Sequence, residues 1–148
     1  MTPDLLESQP LRVLIADDHD LFATTLAEML DDLPDLDVVA RAADGAEAVY
    51  LASSLHPDVV VMDVSMPRLD GIDATSKITE KLEGTRVVML SALTDGETAF
   101  RARMAGAAAY LCKGCPFDEL IETVCEAAGR SDRLKLLERL SAAPAIAH

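Results

Sequence analysis

Leu11-Arg12-Val13-Leu14-Ile15-Ala16 runs into Asp17-Asp18, and Val59-Val60-Val61-Met62 runs into Asp63. Each apolar run reads as a buried strand, and each delivers carboxylates where it ends. If the two strands are neighbours in a parallel sheet, three acids converge on one point. Such a cluster is unfavourable unless a cation neutralises it or a proton is retained. Oxygen ligands with no Cys or His nearby select a hard cation, Mg2+ first.

Working outward, strand and helix patterns alternate along the chain. Strands are expected over 11–17, 37–42, 58–63, 86–91 and 108–112, and helices over 20–31, 45–55, 71–82, 95–105 and 117–128. The second strand, around Asp37-Val38-Val39-Ala40, is short and only half apolar. Asp44-Gly45 and Asp70-Gly71 are turn signals ahead of helices. Gly84 and Gly106 sit where helix C-caps belong. Pro116 suits a first helical turn, with Asp118 and Glu119 complementing its dipole. Five strands alternating with five helices mean a mostly parallel sheet covered on both faces. Right-handed crossovers leave few topologies. The flavodoxin-like, doubly wound order 2-1-3-4-5 puts the first and third strands side by side at the topological switch point, where ligands bind beyond the strands' carboxyl ends. Asp17, Asp18 and Asp63 all lie at those ends.

The 148 residues divide into an N-terminal extension over 1–10, one domain over 11–128, and a C-terminal helix and linker over 129–148. In the last segment, Ser131 is a suitable N-cap for a short amphipathic helix ending near Leu140, with Leu134, Leu137 and Leu140 on one stripe. No apolar stretch is long enough to span a bilayer. Met1 to Pro10 lacks the basic start of a secretory signal, so the expected location is the cytoplasm. Residues 1–128 hold nine Lys and Arg against 24 Asp and Glu, a net of −15, whereas 129–148 carries +2. An acidic body of this kind argues against direct nucleic-acid binding, which needs a basic face for the phosphates.

Two further strand ends complete the constellation. Val87-Val88-Met89-Leu90 ends in Ser91, and Tyr110-Leu111-Cys112 ends in Lys113. A cation plus a lysine can offset charge on a transferring phosphoryl group, a hydroxyl can hydrogen-bond one of its oxygens, and a carboxylate can be the nucleophile. Any one of these residues alone is ordinarily a turn residue, a cap or a surface charge. It is the ordered set that carries the inference.

With Asp17-Asp18, Asp63 followed by Met66-Pro67 and Asp70-Gly71, Ser91-Ala92, Tyr110 and Lys113, the chain resembles the receiver domain of bacterial two-component response regulators over about 11–128. The Asp17-Asp18-His19 start and the approach to Lys113 look most like the NarL/LuxR-type branch, whose members usually continue into a helix-turn-helix domain. The resemblance implies that Asp63 is the phosphoacceptor, taking its phosphoryl group from a sensor histidine kinase. It implies Mg2+ held by Asp18 directly, by Asp17 through water, by Asp63 and by the Ser65 carbonyl. Ser91 would bond a phosphoryl oxygen, Lys113 would pair with the phosphoryl group, and Tyr110 would be the aromatic that turns inward with Ser91. The changed face would be helix 4, strand 5 and helix 5, or helices 1 and 5. A phosphorylation-dependent homodimer would follow, and regulation of transcription if a DNA-binding domain follows in the chain.

The sequence departs from the family pattern in places. Gly114 follows Lys113 where many relatives have Pro. Ser65 is small and polar, leaving water access to Asp63, and Leu93 is bulky. Cys112-Lys113-Gly114-Cys115 is formally C-x-x-C, but the expectation is that Cys112 fills the core and Cys115 sits in the loop. His19 reads as a helix-start surface residue. The rivals are a stand-alone single-domain regulator acting by protein–protein contact, and a Mg2+-dependent phosphohydrolase. The latter needs a second Asp two positions after the nucleophile, where Ser65 stands. On this reading the chain phosphorylates and dephosphorylates itself but turns over no separate metabolite.

Overall fold

The computed structural model describes residues 9–92 and 95–130. Within them the elements are β1 Leu11–Ala16, α1 Asp20–Asp31, β2 Leu36–Ala42, α2 Gly45–Leu55, β3 Val59–Asp63, α3 Gly71–Lys81, β4 Arg86–Ser91, α4 Gly96–Met104, β5 Ala109–Cys112 and α5 Phe117–Ala127. All pairings are parallel, in the order β2-β1-β3-β4-β5. This is the doubly wound, flavodoxin-like sheet that the alternating pattern predicts. No helix among the described residues is long and apolar enough to cross a membrane. The expected tail helix with Leu134, Leu137 and Leu140, Leu93, and the first eight residues lie outside the described residues.

Side chains alternate between faces along the central strands, as the period of two requires. Val13, Ile15, Val59, Val61, Val88 and Leu90 pack with Leu26 and Leu30 of α1 and Ile121 and Val124 of α5. Leu14, Ala16, Val60, Met62, Val87 and Met89 pack on the other face with Ala48 and Ala52 of α2, Ala74 and Ile78 of α3, and Ala102 of α4. Because both faces are covered, these strands read as continuous apolar runs rather than alternating ones.

The element boundaries agree with the sequence to within two residues, with local exceptions. β2 is the longest strand, at seven residues, although Asp37 and Arg41 interrupt its apolar run. It lies at the sheet edge, where one flank is unpaired and polar side chains are tolerated. Asp44, Asp70 and Asp95 each accept the backbone N–H three residues on, at 2.8, 2.8 and 2.7 Å, capping α2, α3 and α4. Gly106 follows α4 with a φ of 102°, as a C-cap glycine should. Gly84 is not a cap: α3 ends through Leu82 in extended conformation. Pro116 occupies the N-cap position of α5, just outside the first turn.

Candidate functional site at the carboxyl rim of the sheet

Register alone brings the site together. Ala16 pairs with Met62, so the next residues, Asp17 and Asp63, stand side by side. Asp63 pairs with Leu90, which puts Ser91 one step beyond it. Ser91 pairs with Cys112, and the Lys113 N–H donates to the Ser91 carbonyl at 2.9 Å. A cleft of about 260 Å3 opens there, lined by Asp18, His19, Asp63, Ser65, Ser91, Ala92 and Lys113.

Asp17 and Asp63 are buried while Asp18 is exposed, and one carboxylate oxygen from each lies within 4.8 Å of the others. The Lys113 ammonium reaches across to both buried acids, 2.8 Å from Asp17 Oδ2 and 3.3 Å from Asp63 Oδ2. It also stands 4.8 Å from the centre of the Phe22 ring, a cation–π contact from α1. Asp17 is oriented from its other oxygen, which accepts the His19 N–H at 2.8 Å.

One lysine does not offset three carboxylates. Burial, and after it the negative charge of Asp17, push the Asp63 carboxyl up to about 6, against the opposing pull of Lys113 and the Ser65 N–H. Burial opposes the charge on Lys113, but its hydrogen bond to Asp17 and the charges of Asp63 and Asp17 outweigh this, so its pKa is raised. The residual negative charge and the oxygen-only donor set fit a hard divalent cation, which prefers carboxylate and carbonyl oxygens in an octahedral shell.

Of the site residues expected from the sequence, Asp17, Asp18, Asp63, Ser65, Ser91 and Lys113 come to this rim. Ser91 is buried on the cleft wall, and Tyr110 is half-buried on β5 against the α3/α4-side core. Lys113 is engaged with the two acids themselves. Phe22, and the steric role of Gly71 beneath Asp63, are not among the sequence expectations. Phe22 gives no motif signal, because only packing puts its ring under Lys113. Gly71 was read as a turn residue, but a Cβ there would overlap the Asp63 carbonyl oxygen. The tight β3-to-α3 connection that aims Asp63 therefore depends on having no side chain at that point.

The cysteines correct an expectation. Cys112 is exposed rather than filling the core, while Cys115 sits in the loop before α5 as expected and is partly buried against the core. Cys112 ends the edge strand β5, which is incompletely covered, and the chain then turns back to tuck Cys115 beneath α1 and α5.

A doubly wound sheet with an acidic, lysine-bearing cleft at its topological switch point defines the class. The response regulator receiver domain family matches residues 13–125, and the chain belongs to that family. It is 44% identical over 137 residues to the transcriptional regulatory protein PdtaR of Mycobacterium tuberculosis, covering 93% of this chain and 66% of that protein. It is 35% identical to the transcriptional regulatory protein LiaR of Bacillus subtilis, covering 88% and 64%. The chain thus spans a little under two thirds of these relatives. Among solved structures, the receiver domain of the response regulator NarL from Mycobacterium tuberculosis superimposes with a TM-score of 0.78 at 32% identity, covering 82% of this chain and 98% of that one. The CheY of a CheX–CheY–BeF3–Mg complex from Borrelia burgdorferi gives 0.74 at 29% identity, covering 80% and 89%. The branch resemblance thus holds: the relatives are NarL/LuxR-type and other response regulators. Response regulators are signalling proteins rather than metabolic enzymes, and their receiver domains interact with histidine kinases.

Proposed function

We propose that residues 11–128 are a phosphorylation-controlled switch in which Asp63 accepts a phosphoryl group from a histidine kinase. The observation that carries this reading is the convergence of Asp17, Asp18 and Asp63 with Lys113 at the sheet's switch point, with Asp63 buried and incompletely neutralised. An Asp63 oxygen would attack the phosphorus of phosphohistidine. An O–P bond forms as the N–P bond breaks, and the imidazole nitrogen keeps the electron pair. Asp17, Asp18, Asp63 and the Ser65 carbonyl would hold Mg2+. The ion would supply charge neutralisation for the acids and for the equatorial oxygens of the transferring group. Lys113, already placed between the acids, would exchange part of its contact with Asp63 for a phosphoryl oxygen. Ser91 would be drawn toward the same group, and Tyr110, half-buried two residues before Cys112, would turn inward. The likeness to a receiver that carries BeF3 and Mg in its structure supports the metal and phosphoryl assignments.

The test is incubation with phosphoramidate and Mg2+. One phosphate should appear on the wild type and none on Asp63→Asn; equal labelling of the variant would overturn the assignment. Residues beyond 128 would link this switch to an output, and the named transcription regulators among its relatives favour control of transcription. On the described surface, α4 exposes Phe100 and Met104 one turn apart. Such a face can serve a phosphorylation-dependent homodimer. Sedimentation should show a monomer that dimerises with beryllofluoride, and a monomer in both states would refute this.

A further inference from the structure

Two cysteines bracket Lys113. The turn Cys112-Lys113-Gly114-Cys115 is closed by the Cys115 N–H, which donates to the Cys112 carbonyl at 3.0 Å. In a β-turn of this kind the outer Cα atoms lie within about 7 Å, and a disulfide spans roughly 4.4–6.8 Å between Cα atoms. The backbone therefore holds the two residues near bridging separation. The Cys112 sulfur leans over the turn, 3.9 Å from where a Cβ on residue 114 would sit, and Gly114 leaves that space open.

The two thiols differ in a way that suits sequential reaction. Cys112 is exposed at the strand end. Cys115 lines an apolar cavity of about 290 Å3 with Phe22, Leu26, Phe117 and Leu120. Burial, then the nearby Glu119 and Cys112, hold the Cys115 thiol above its ordinary range. An oxidant in solution therefore meets Cys112 first, with Cys115 as the resolving partner. The remaining cysteine, Cys125, is 1% exposed within the core. The metal-ligating group found among the described residues includes no cysteine.

We propose that Cys112 and Cys115 form a reversible dithiol–disulfide pair whose closure displaces the Lys113 turn and blunts the response of the acidic cleft. The chemistry needs a low-molecular-weight disulfide such as oxidised glutathione. The Cys112 thiolate attacks one sulfur of that disulfide; its S–S bond breaks and one glutathione thiol leaves. The Cys115 thiolate then attacks Cys112 Sγ, breaking the mixed disulfide and releasing the second glutathione. The two protons lost by the cysteines end on the two released thiols, and the cysteine pair is oxidised as the glutathione disulfide is reduced. Closure brings the sulfurs to about 2 Å and draws Cys115 out of its apolar berth. The peptide between them carries Lys113, whose ammonium bridges Asp17 and Asp63 and whose N–H is anchored to Ser91. The bond itself stands independently of any role for Asp63. The effect on the response rests on Asp63 as phosphoacceptor.

The experiment treats the full chain with oxidised glutathione, then measures intact mass, maps peptides and records the beryllofluoride response with Mg2+ by NMR. The expected product is lighter by two hydrogens, joins Cys112 to Cys115 and keeps Cys125 as a thiol. Cys115→Ser should instead retain one glutathione on Cys112, and Cys112→Ser should stay unmodified. Stable glutathione on wild-type Cys112, or disulfide-linked dimers as the end product, would overturn the pair. The reduced protein should show the beryllofluoride shifts around Tyr110, the oxidised protein severalfold smaller ones, and dithiothreitol should restore them. Undiminished shifts after oxidation would overturn the control. Failure of the reduced protein to respond at all would overturn the phosphoacceptor reading, while the mass and peptide map still decide the disulfide.

Discussion

The two rims of the same sheet are built to opposite electrostatic rules. At the amino rim, the polar groups described have hydrogen-bond partners. The Arg12 guanidinium donates to the Leu55 and His56 carbonyls at 2.7 and 3.0 Å, capping the C-terminal end of α2. The Arg12 N–H donates to Asp58 Oδ2 at 2.9 Å, and the buried Thr85 hydroxyl donates to the Pro57 carbonyl at 2.7 Å. At the carboxyl rim, three carboxylates converge while one lysine pairs with two of them, and Asp63 has its pKa pushed up to about 6. One rim contributes stability. The other holds charge in excess, so that a cation or a phosphoryl group changes its energy strongly. Functional sites commonly carry such perturbed groups at a cost to the fold.

The largest expected effect separates the rims by a single methyl group. Gly71→Ala would drive a Cβ into the Asp63 carbonyl and should cost about 3 kcal/mol. Gly84→Ala, at the amino rim, meets nothing within 4 Å and should change stability by less than about 1 kcal/mol, in the stabilising direction. Urea unfolding of both variants measures this, and similar costs for the two would break the contrast.

Removing an acid should then have opposite signs at the two rims. The Asp63 pKa is raised in the folded state, to about 6 from 3.8. The folded protein thus binds more protons than the unfolded chain between those values, and stability falls as pH rises through that window. Asp63→Asn should therefore stabilise the metal-free protein above pH 6 by about 1–3 kcal/mol, the upper end reduced by solvent screening at the cleft. The gain should vanish below about pH 4, where Asp63 is protonated in both states. Asp58→Ala, which strips the Arg12 N–H of its acceptor, should instead cost about 1–2 kcal/mol. Denaturation across pH tests both, and a destabilised Asp63→Asn at pH 8 would contradict the account.

The smallest effect sharpens the comparison through ligand linkage. Mg2+ should raise the melting temperature of the wild type, by an amount equivalent to about 1.4 kcal/mol at ten times its dissociation constant. The gain should be lost in Asp63→Asn, reduced in Asp18→Ala and intact in Asp58→Ala. Equal stabilisation of all four proteins would mean that the ion binds elsewhere.

Much of this was legible in the chain. Largely apolar runs of three to six residues ending in Asp, Ser and Lys announced the strands and the contents of one rim, because parallel strands covered on both faces carry little that is polar along their length. Caps at Asp44 and Asp70 marked where α2 and α3 begin. Other features carried no local signal. The length of β2 depends on the neighbouring β1 backbone, and the ending of α3 at Leu82 rather than at Gly84 depends on the path into β4. The exposure of Cys112 depends on β5 being an edge strand.

The sequence by itself determined the alternation of strands and helices, the identity of the acids, hydroxyl and lysine at the strand ends, and the acidic character of the body. These follow from hydrophobic periodicity and from side-chain chemistry, which are properties of residues in order. Only the tertiary structure decided that Lys113 spans Asp17 and Asp63 above the Phe22 ring, that Gly71 must be bare beneath Asp63, and that Cys115 rather than Cys112 faces the core. Those are through-space relations between segments 8 to 96 residues apart or around a single turn. Strand register and packing set the distances there, and sequence spacing does not encode them.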